Sequence, residues 1–248
     1  MNRKRCFLEQ DKWKTVSWAL EPASKDTMSY LQDIMCDLPG LMDEAVNIQS
    51  PSLGVVQKAI SYEALSRNIL DHIDQLYQWR RRWEDEYPNA YYEVAAQPHL
   101  DVQPLFPTML RFSNIRQADE IVLYNTALIL LLRLGAKVMG PAFDTSTAIF
   151  NLPAIDSLGS LSQPGETEIV QTVATEICKC VGYYLLDYRN RAGVSLLISL
   201  RVAHTAFLPT SGPAKWIDTL MTRIAELNGF TISKRVHSNT LNLFSTIS

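Results

Sequence analysis

Histidines are the first residues to test for chemistry, and their positions do not combine into a recognisable active site. His72, His99, His204 and His237 are scattered along the chain. There is no Gly-x-Ser-x-Gly nucleophile elbow and no phosphate-binding glycine loop. His204 lies in an apolar stretch beside Arg201, where a histidine more often packs through a hydrogen bond than acts as a base. We therefore predict no catalytic residue and no enzyme.

Arginines in the last third of the chain form the best candidate for ligand contacts. Arg189 and Arg191 follow Asp187 and precede Arg201 and His204. Guanidinium groups bind anions through forked hydrogen bonds, and they also form ion-pair networks between helices. Structural pairing is the default interpretation. The anion contacts that we nominate are Arg189, Arg191, Arg201 and His204.

Metal ligands are poorly arranged in this sequence. Cys178 and Cys180 stand two residues apart, so on a helix their thiols point to different sides, and we expect buried or half-buried thiols. Asp71 and Asp74 share one helical face, as a magnesium site of a terpene cyclase would need, but the aspartate-rich motif is incomplete. The sequence predicts no metal and no cofactor.

Three arginines between two tryptophans, Trp79-Arg80-Arg81-Arg82-Trp83, could contact phosphates and bases. Residues 84–86 are all acidic and cancel this charge, and the whole chain has a formal net charge of -3. We predict a solvated helix end with both indoles packed inward. The basic run at residues 2–5 is compatible with nuclear import or with the remnant of a linker.

The elements that position these residues are predicted to be helices. With 248 residues, 47% of them hydrophobic and 20% charged, the chain can bury a large core. Apolar residues at helical spacing, stops at proline and glycine, and no hairpin signal indicate an all-α fold. We predict an irregular array of about eight to ten helices in a single domain, residues 1–248, with an irregular N-terminal segment, 1–25, and an internal loop, 144–164.

Individual helices follow from periodicity and caps. Asp26 caps a helix that we expect to stop near Pro39-Gly40, before a short helix over Leu41–Ile48. A long amphipathic helix buries the face that carries Leu65, Ile69 and Ile73. The run from Ile121 to Leu132 is too short to span a membrane and predicts a buried core helix. Further helices are predicted over 169–184, 194–207, 215–227 and, more weakly, 232–244.

Several segments together resemble the regulatory domain of fungal binuclear zinc-cluster transcription factors. The strongest match is Leu200-Arg201-Val202-Ala203, followed by Lys215-Trp216-Ile217 and Gly229-Phe230. Trp18 with Pro22, the stretch from Asp26 to Leu41, the helix bearing Trp79 and Trp83, and the run from Tyr124 to Leu132 extend the likeness over most of the chain. The six-cysteine cluster of that family is missing from this sequence.

The resemblance implies a transcription-regulator-like helical domain that acts through a protein partner or a small effector, in a secondary-metabolite or nutrient pathway. Because the six-cysteine cluster is missing, we expect no sequence-specific DNA binding by this chain alone, and the short apolar run predicts no membrane. The resemblance implies a location in the nucleus or, alternatively, the cytoplasm. The chain is either a fragment of a longer regulator or a free-standing one. The alternative is a helical domain recruited as a small-molecule-binding protein or enzyme in a biosynthetic pathway.

Overall fold

The structure is a computed structural model that describes residues 5–98, 102–140, 170–187 and 194–228. Within these ranges it is mostly helical, as predicted, although the seven α-helices found there are fewer than the eight to ten expected for the chain. They are α1 (Asp11–Thr15), α2 (Thr27–Ile48), α3 (Val55–Glu86), α4 (Ile115–Met139), α5 (Val170–Asp187), α6 (Val194–His204) and α7 (Gly212–Asn228). Strands β1 (Tyr91–Ala95) and β2 (Thr108–Phe112) complete the elements.

The chain divides into two compact units. Among the described residues, the first unit comprises 5–85 and 130–140, and the second comprises 86–98, 102–129, 170–187 and 194–228. The first unit therefore contains α1, α2, nearly all of α3 and the last part of α4. The second contains the strands, the first part of α4, and α5 to α7.

Helix α2 begins as predicted but does not end where expected. The Asp26 carboxylate accepts a hydrogen bond from the Ser29 amide at 2.8 Å, and the helix then continues through Pro39 to Ile48. The prediction of a break there is wrong. Gly40 is buried, and Glu9 Oε2 lies 2.5 Å from where a Cβ at this position would be. The glycine thus allows a close approach of the N-terminal segment instead of ending the helix.

Residues 5–25 contain α1 and three short 3-10 helices, Phe7–Glu9, Val16–Trp18 and Pro22–Ser24. Ion pairs fasten this segment to α2. Arg5 lies 3.7 Å from Glu44, Lys14 binds Asp37, and Lys25 binds Asp33. The segment is therefore held in place by charge over its whole length.

Helix α3 buries the predicted face, since Leu65, Ile69 and Ile73 are almost inaccessible. Trp79 and Trp83 also point inward, with stacked rings 6.4 Å apart, and the Trp79 indole donates a hydrogen bond to the Thr27 carbonyl. The prediction of solvated arginines fails at Arg80, which is only 1% exposed. It is buried because its guanidinium pairs with Glu84 at 2.7 Å and lies over the Trp83 ring.

A β-hairpin in the second unit corrects the prediction that strands lack support. Strands β1 and β2 pair antiparallel from Tyr91 opposite Phe112 to Ala95 opposite Thr108. Helix α5 packs on β2, where the Phe112 and Tyr183 rings lie 5.6 Å apart. The hairpin lacks a sequence signal because prolines and a long connection, instead of a tight turn, separate its strands.

Helix α4 confirms the predicted buried helix. Asn114 caps it by accepting a hydrogen bond from the Gln117 amide, and Gly140, with φ of 61°, follows its end. The helix has 25 residues, so it is longer than the apolar run alone. It is the one described helix that is long and apolar enough to cross a membrane, and 67% of its apolar window is buried within the protein.

Helices α5, α6 and α7 agree with the predicted positions. Helix α5 packs against α6, and α6 packs against α7. The predicted loop 144–164, the predicted helix 232–244, and Arg189 and Arg191 lie outside the described residues.

Candidate functional site

The nominated residues on α6 lie against a carboxylate of α7. His204 Nε2 is 3.3 Å from the Asp218 carboxylate, and Asp218 also acts on Arg201 electrostatically. Arg201 is only 3% exposed. Burial lowers the pKa of the Arg201 guanidinium, and the Asp218 charge partly offsets that effect.

This arrangement favours structural pairing over anion binding. A carboxylate already lies where an anionic ligand would need to bind, and it would repel that ligand. Arg189 and Arg191, the other two nominated contacts, are outside the described residues. The structure therefore brings Arg201 and His204 together around Asp218 and leaves the rest of the nominated site untested.

Residues considered as metal ligands are dispersed. Cys178 and Cys180 are both buried thiols, as expected, and burial raises the pKa of Cys178 to about 12. Asp71 is exposed, and Asp74 accepts a hydrogen bond from Gln78 at 2.7 Å. In the described part of the chain, no group of three or more His, Cys, Asp and Glu side chains could hold a metal ion.

A small hollow in the second unit is lined by the hairpin connection, α5 and α7. Its volume is about 30 Å³, and its wall includes Phe106, Met109, Lys179 and Trp216. Pockets that hold small molecules usually measure about 300 to 1,000 Å³, whereas 30 Å³ suits a water molecule or two. This hollow is therefore too small for an organic effector in the present conformation.

Trp216 lies at the edge of this hollow and is half-buried. Its indole nitrogen donates a hydrogen bond to the Gln103 carbonyl at 2.8 Å. The indole thus joins α7 to the connection between the strands.

A polar network in the first unit was not visible in the sequence. Both Asp37 carboxylate oxygens accept hydrogen bonds from Lys14 Nζ, at 2.6 and 2.7 Å, and His72 Nε2 is 3.1 Å from Asp37 Oδ2. His72 Nδ1 lies 2.7 Å from the Asn68 carbonyl. Because both ring nitrogens face acceptors, the imidazolium form is favoured. We call Lys14, Asp37 and His72 the relay.

The contacts within the relay shift the pKa values of Asp37 and His72. Burial by itself would raise the pKa of Asp37, but hydrogen bonds from His72 and Lys14 outweigh burial and hold that pKa below its usual value. Burial likewise opposes charge on His72, yet the hydrogen bonds to Asp37 and Asn68 raise its pKa. The three residues come from α1, α2 and α3, so the relay ties these helices together.

Two carboxylates of the second unit, those of Asp119 and Glu176, accept hydrogen bonds from neutral donors. The Tyr184 hydroxyl donates to Asp119 at 2.7 Å, and Asn125 donates to the buried Glu176 at 3.0 Å. Burial raises the pKa of Asp119 although the Tyr184 hydrogen bond lowers it. Burial also raises the pKa of Tyr184 strongly. These bonds join α4 to α5.

Exposed apolar side chains are concentrated near the start of the chain. Of the twelve large apolar side chains that are exposed in the described ranges, five lie within residues 7–20: Phe7, Leu8, Trp13, Val16 and Leu20. Leu20 is 97% exposed, and the Phe7 and Trp13 rings meet edge to face at 5.6 Å. We call these five residues the N-terminal apolar set.

Comparisons with protein-family models, with curated proteins and with solved structures find no match for this chain.

Proposed function

We propose that this chain is a helical, transcription-regulator-like domain that acts through a protein partner, and that the N-terminal apolar set contacts that partner. The resemblance to fungal zinc-cluster regulators motivates the regulatory role. In this proposal the chain forms one regulatory domain of about eight to ten helices, does not read DNA sequence alone, and works in the nucleus or, alternatively, the cytoplasm.

The observation that supports a protein partner is the exposure of the N-terminal apolar set on a segment that ion pairs hold against α2. Exposed apolar side chains cost free energy in water, and a concentration of them is typical of interaction sites. Ion pairs hold this segment against α2, because Lys14 pairs with Asp37 and Lys25 pairs with Asp33. Its apolar side chains therefore remain exposed in a fixed arrangement, which favours a protein surface as the ligand.

A small effector has less support among the described residues. The hollow beside Trp216 holds about 30 Å³. Arg201 and His204 face the Asp218 carboxylate, so an anionic effector would compete with it. We accordingly favour a protein partner over a small effector as the ligand.

A tethering experiment tests the partner. The full chain is fused to an unrelated DNA-binding module in a fungal host, and transcription of a reporter with the matching site is measured. We expect the fusion to change reporter output and Leu20→Asp to abolish that change, because a buried charge in an apolar contact weakens binding by about tenfold or more. Leu208→Asp is the matched control, since Leu208 is 72% exposed and lies outside the set. Equal activity of both variants would reject the set as the contact.

Gene deletion separates regulation from the recruited-enzyme alternative. Loss of a regulator changes the transcript levels of a definable gene set. Loss of a pathway enzyme causes its substrate to accumulate while those transcripts stay unaltered. The second result would end the regulatory proposal, and Arg189, Arg191, Arg201 and His204 would then be the first residues to mutate.

A further inference from the structure

Helix α3 carries a second stripe of residues opposite its buried face, and all of them are exposed. They repeat at alternating spacings of four and three, which keeps them on one side of a helix over two heptads. The stripe consists of Val56, Ile60, Glu63, Arg67, Leu70 and Asp74. We call these six residues the α3 stripe. Val56 is 74% exposed and Ile60 57% exposed, so the described part of the chain leaves these apolar side chains uncovered.

The centre of the α3 stripe is an ion pair between two apolar residues. Arg67 Nη2 lies 2.9 Å from Glu63 Oε1, and both side chains are largely exposed, at 69% and 75%. Ile60 precedes the glutamate by three residues, and Leu70 follows the arginine by three. Read from either end, the pattern is therefore apolar, charged, charged, apolar, with the sign of the charge reversed.

We propose that the α3 stripe is a homodimer interface in which two copies of α3 pack antiparallel around a two-fold axis level with residue 65. In this arrangement each position meets one equally far on the other side of the axis. Glu63 meets Arg67 of the second copy, and Ile60 meets Leu70 of the second copy. Every central contact then occurs twice, as a two-fold interface requires.

Charge selects a second copy in this orientation. Each Glu63 lies between its own Arg67 and the Arg67 of the second copy, so the four side chains alternate in sign. A parallel pair would place Glu63 against Glu63 and Arg67 against Arg67, which is repulsive. At the ends of the contact, Val56 meets Asp74, whose carboxylate accepts a hydrogen bond from Gln78 and stays at the solvent edge.

The contact is small, and this sets its expected strength. One pair of helices with three apolar residues each lies at the lower end of specific interfaces, below roughly 1,200 Å² of total buried surface. We therefore expect a concentration-dependent dimer with a Kd on the order of 10 µM. This inference does not depend on the proposed regulatory role.

Sedimentation velocity of the full chain at concentrations on both sides of that Kd tests the interface. We expect the wild type to shift from monomer to dimer as its concentration rises. Arg67→Glu and Glu63→Arg should each raise the Kd by about tenfold or more, because both cross-helix pairs become like charges. Arg223→Glu is the matched control, since Arg223 forms an exposed ion pair with Glu226 elsewhere on the chain.

Mixing the two single variants tests the pairing itself. One copy then carries two arginines and the other two glutamates, so the mixed dimer regains both opposite-charge contacts while each variant alone remains monomeric. Ile60→Asp should also prevent dimerisation, and circular dichroism checks that each exposed substitution leaves the helices folded. A wild type that stays monomeric throughout, a dimer that survives Arg67→Glu, or single variants that fail to rescue each other would each overturn the proposal.

Discussion

Asp37 in the first unit and Asp119 in the second are both half-buried, yet their pKa values shift in opposite directions. Burial raises the pKa of Asp119, and its neutral partner, the Tyr184 hydroxyl, offsets only part of that effect. Burial opposes the charge of Asp37 too, but the cationic donors His72 and Lys14 lower its pKa overall. The charge of the hydrogen-bond donor, more than the degree of burial, thus decides the direction in which the pKa of each of these two carboxylates shifts.

The two carboxylates therefore affect stability in opposite ways as pH changes. Asp37 stabilises the fold above its ordinary pKa near 3.9, and this contribution is lost as the pH falls through its lowered value. For Asp119 the folded pKa lies above the unfolded one, so stability declines as the pH rises from the unfolded value through the folded one. Substitutions to asparagine can separate these two cases.

Asp37→Asn should have the largest effect. The amide keeps the size of the side chain but leaves Lys14 and His72 without their counter-charge. We expect a loss of about 2 to 3 kcal/mol in the free energy of unfolding at pH 6, measured by urea denaturation. Asp71→Asn, an exposed neighbour of His72, is the control and should change stability by less than about 0.5 kcal/mol. Equal effects from the two variants would mean that the relay does not stabilise the first unit.

Tyr184→Phe breaks the corresponding contact in the second unit. The substitution removes the hydroxyl that donates a hydrogen bond to Asp119. It should lower the free energy of unfolding by about 1 to 2 kcal/mol at pH 7. The pKa of Asp119 should rise further, because the hydrogen bond that lowers it is gone. Tyr92→Phe at an exposed position serves as the control. If Tyr184→Phe left the free energy of unfolding unchanged, the hydrogen bond to Asp119 would be no more favourable than the hydrogen bond that the hydroxyl makes to water in the unfolded chain.

His72→Gln sharpens the comparison through its pH profile. The folded pKa of His72 is raised, so its contribution is complete below the ordinary pKa near 6.5 and disappears as the pH rises through the raised value. Wild-type stability should decline over that interval by about 1 kcal/mol, the net value of one hydrogen bond, whereas the variant should not. Parallel profiles for the two proteins would count against a charged His72 in the relay.

Asp119→Asn should have the smallest effect and differ in sign from Asp37→Asn. The amide oxygen still accepts the Tyr184 hydroxyl hydrogen bond, while the cost of a half-buried charge is removed. At pH 7 we expect stability to stay the same or to increase by about 0.5 kcal/mol. A loss as large as that of Asp37→Asn would contradict the contrast between neutral and cationic donors.

The sequence was sufficient to predict helix faces that follow from local spacing of apolar residues. It was not sufficient to predict features that depend on contacts between residues far apart in the sequence. The buried faces of α3 and α5 follow from apolar spacing of three and four residues. The continuity of α2 could not be predicted, because Pro39-Gly40 usually ends a helix and the packing of Glu9 on Gly40 is a tertiary contact. The relay joins His72 to a carboxylate 35 residues away, and nothing in one sequence indicates that pairing. The hairpin was missed for the same reason, since its strands recognise each other across a long connection.

The burial of Cys178 and Cys180 makes their rate of chemical modification a measure of how often the second unit opens. Cys6 and Cys36 in the first unit are partly accessible, whereas the α5 thiols are covered, and the pKa of about 12 keeps Cys178 protonated at neutral pH. Because only a thiolate attacks a disulfide reagent, modification of the α5 pair must wait until the second unit opens. The slow phase of thiol modification in the unaltered protein would then report how often that opening occurs.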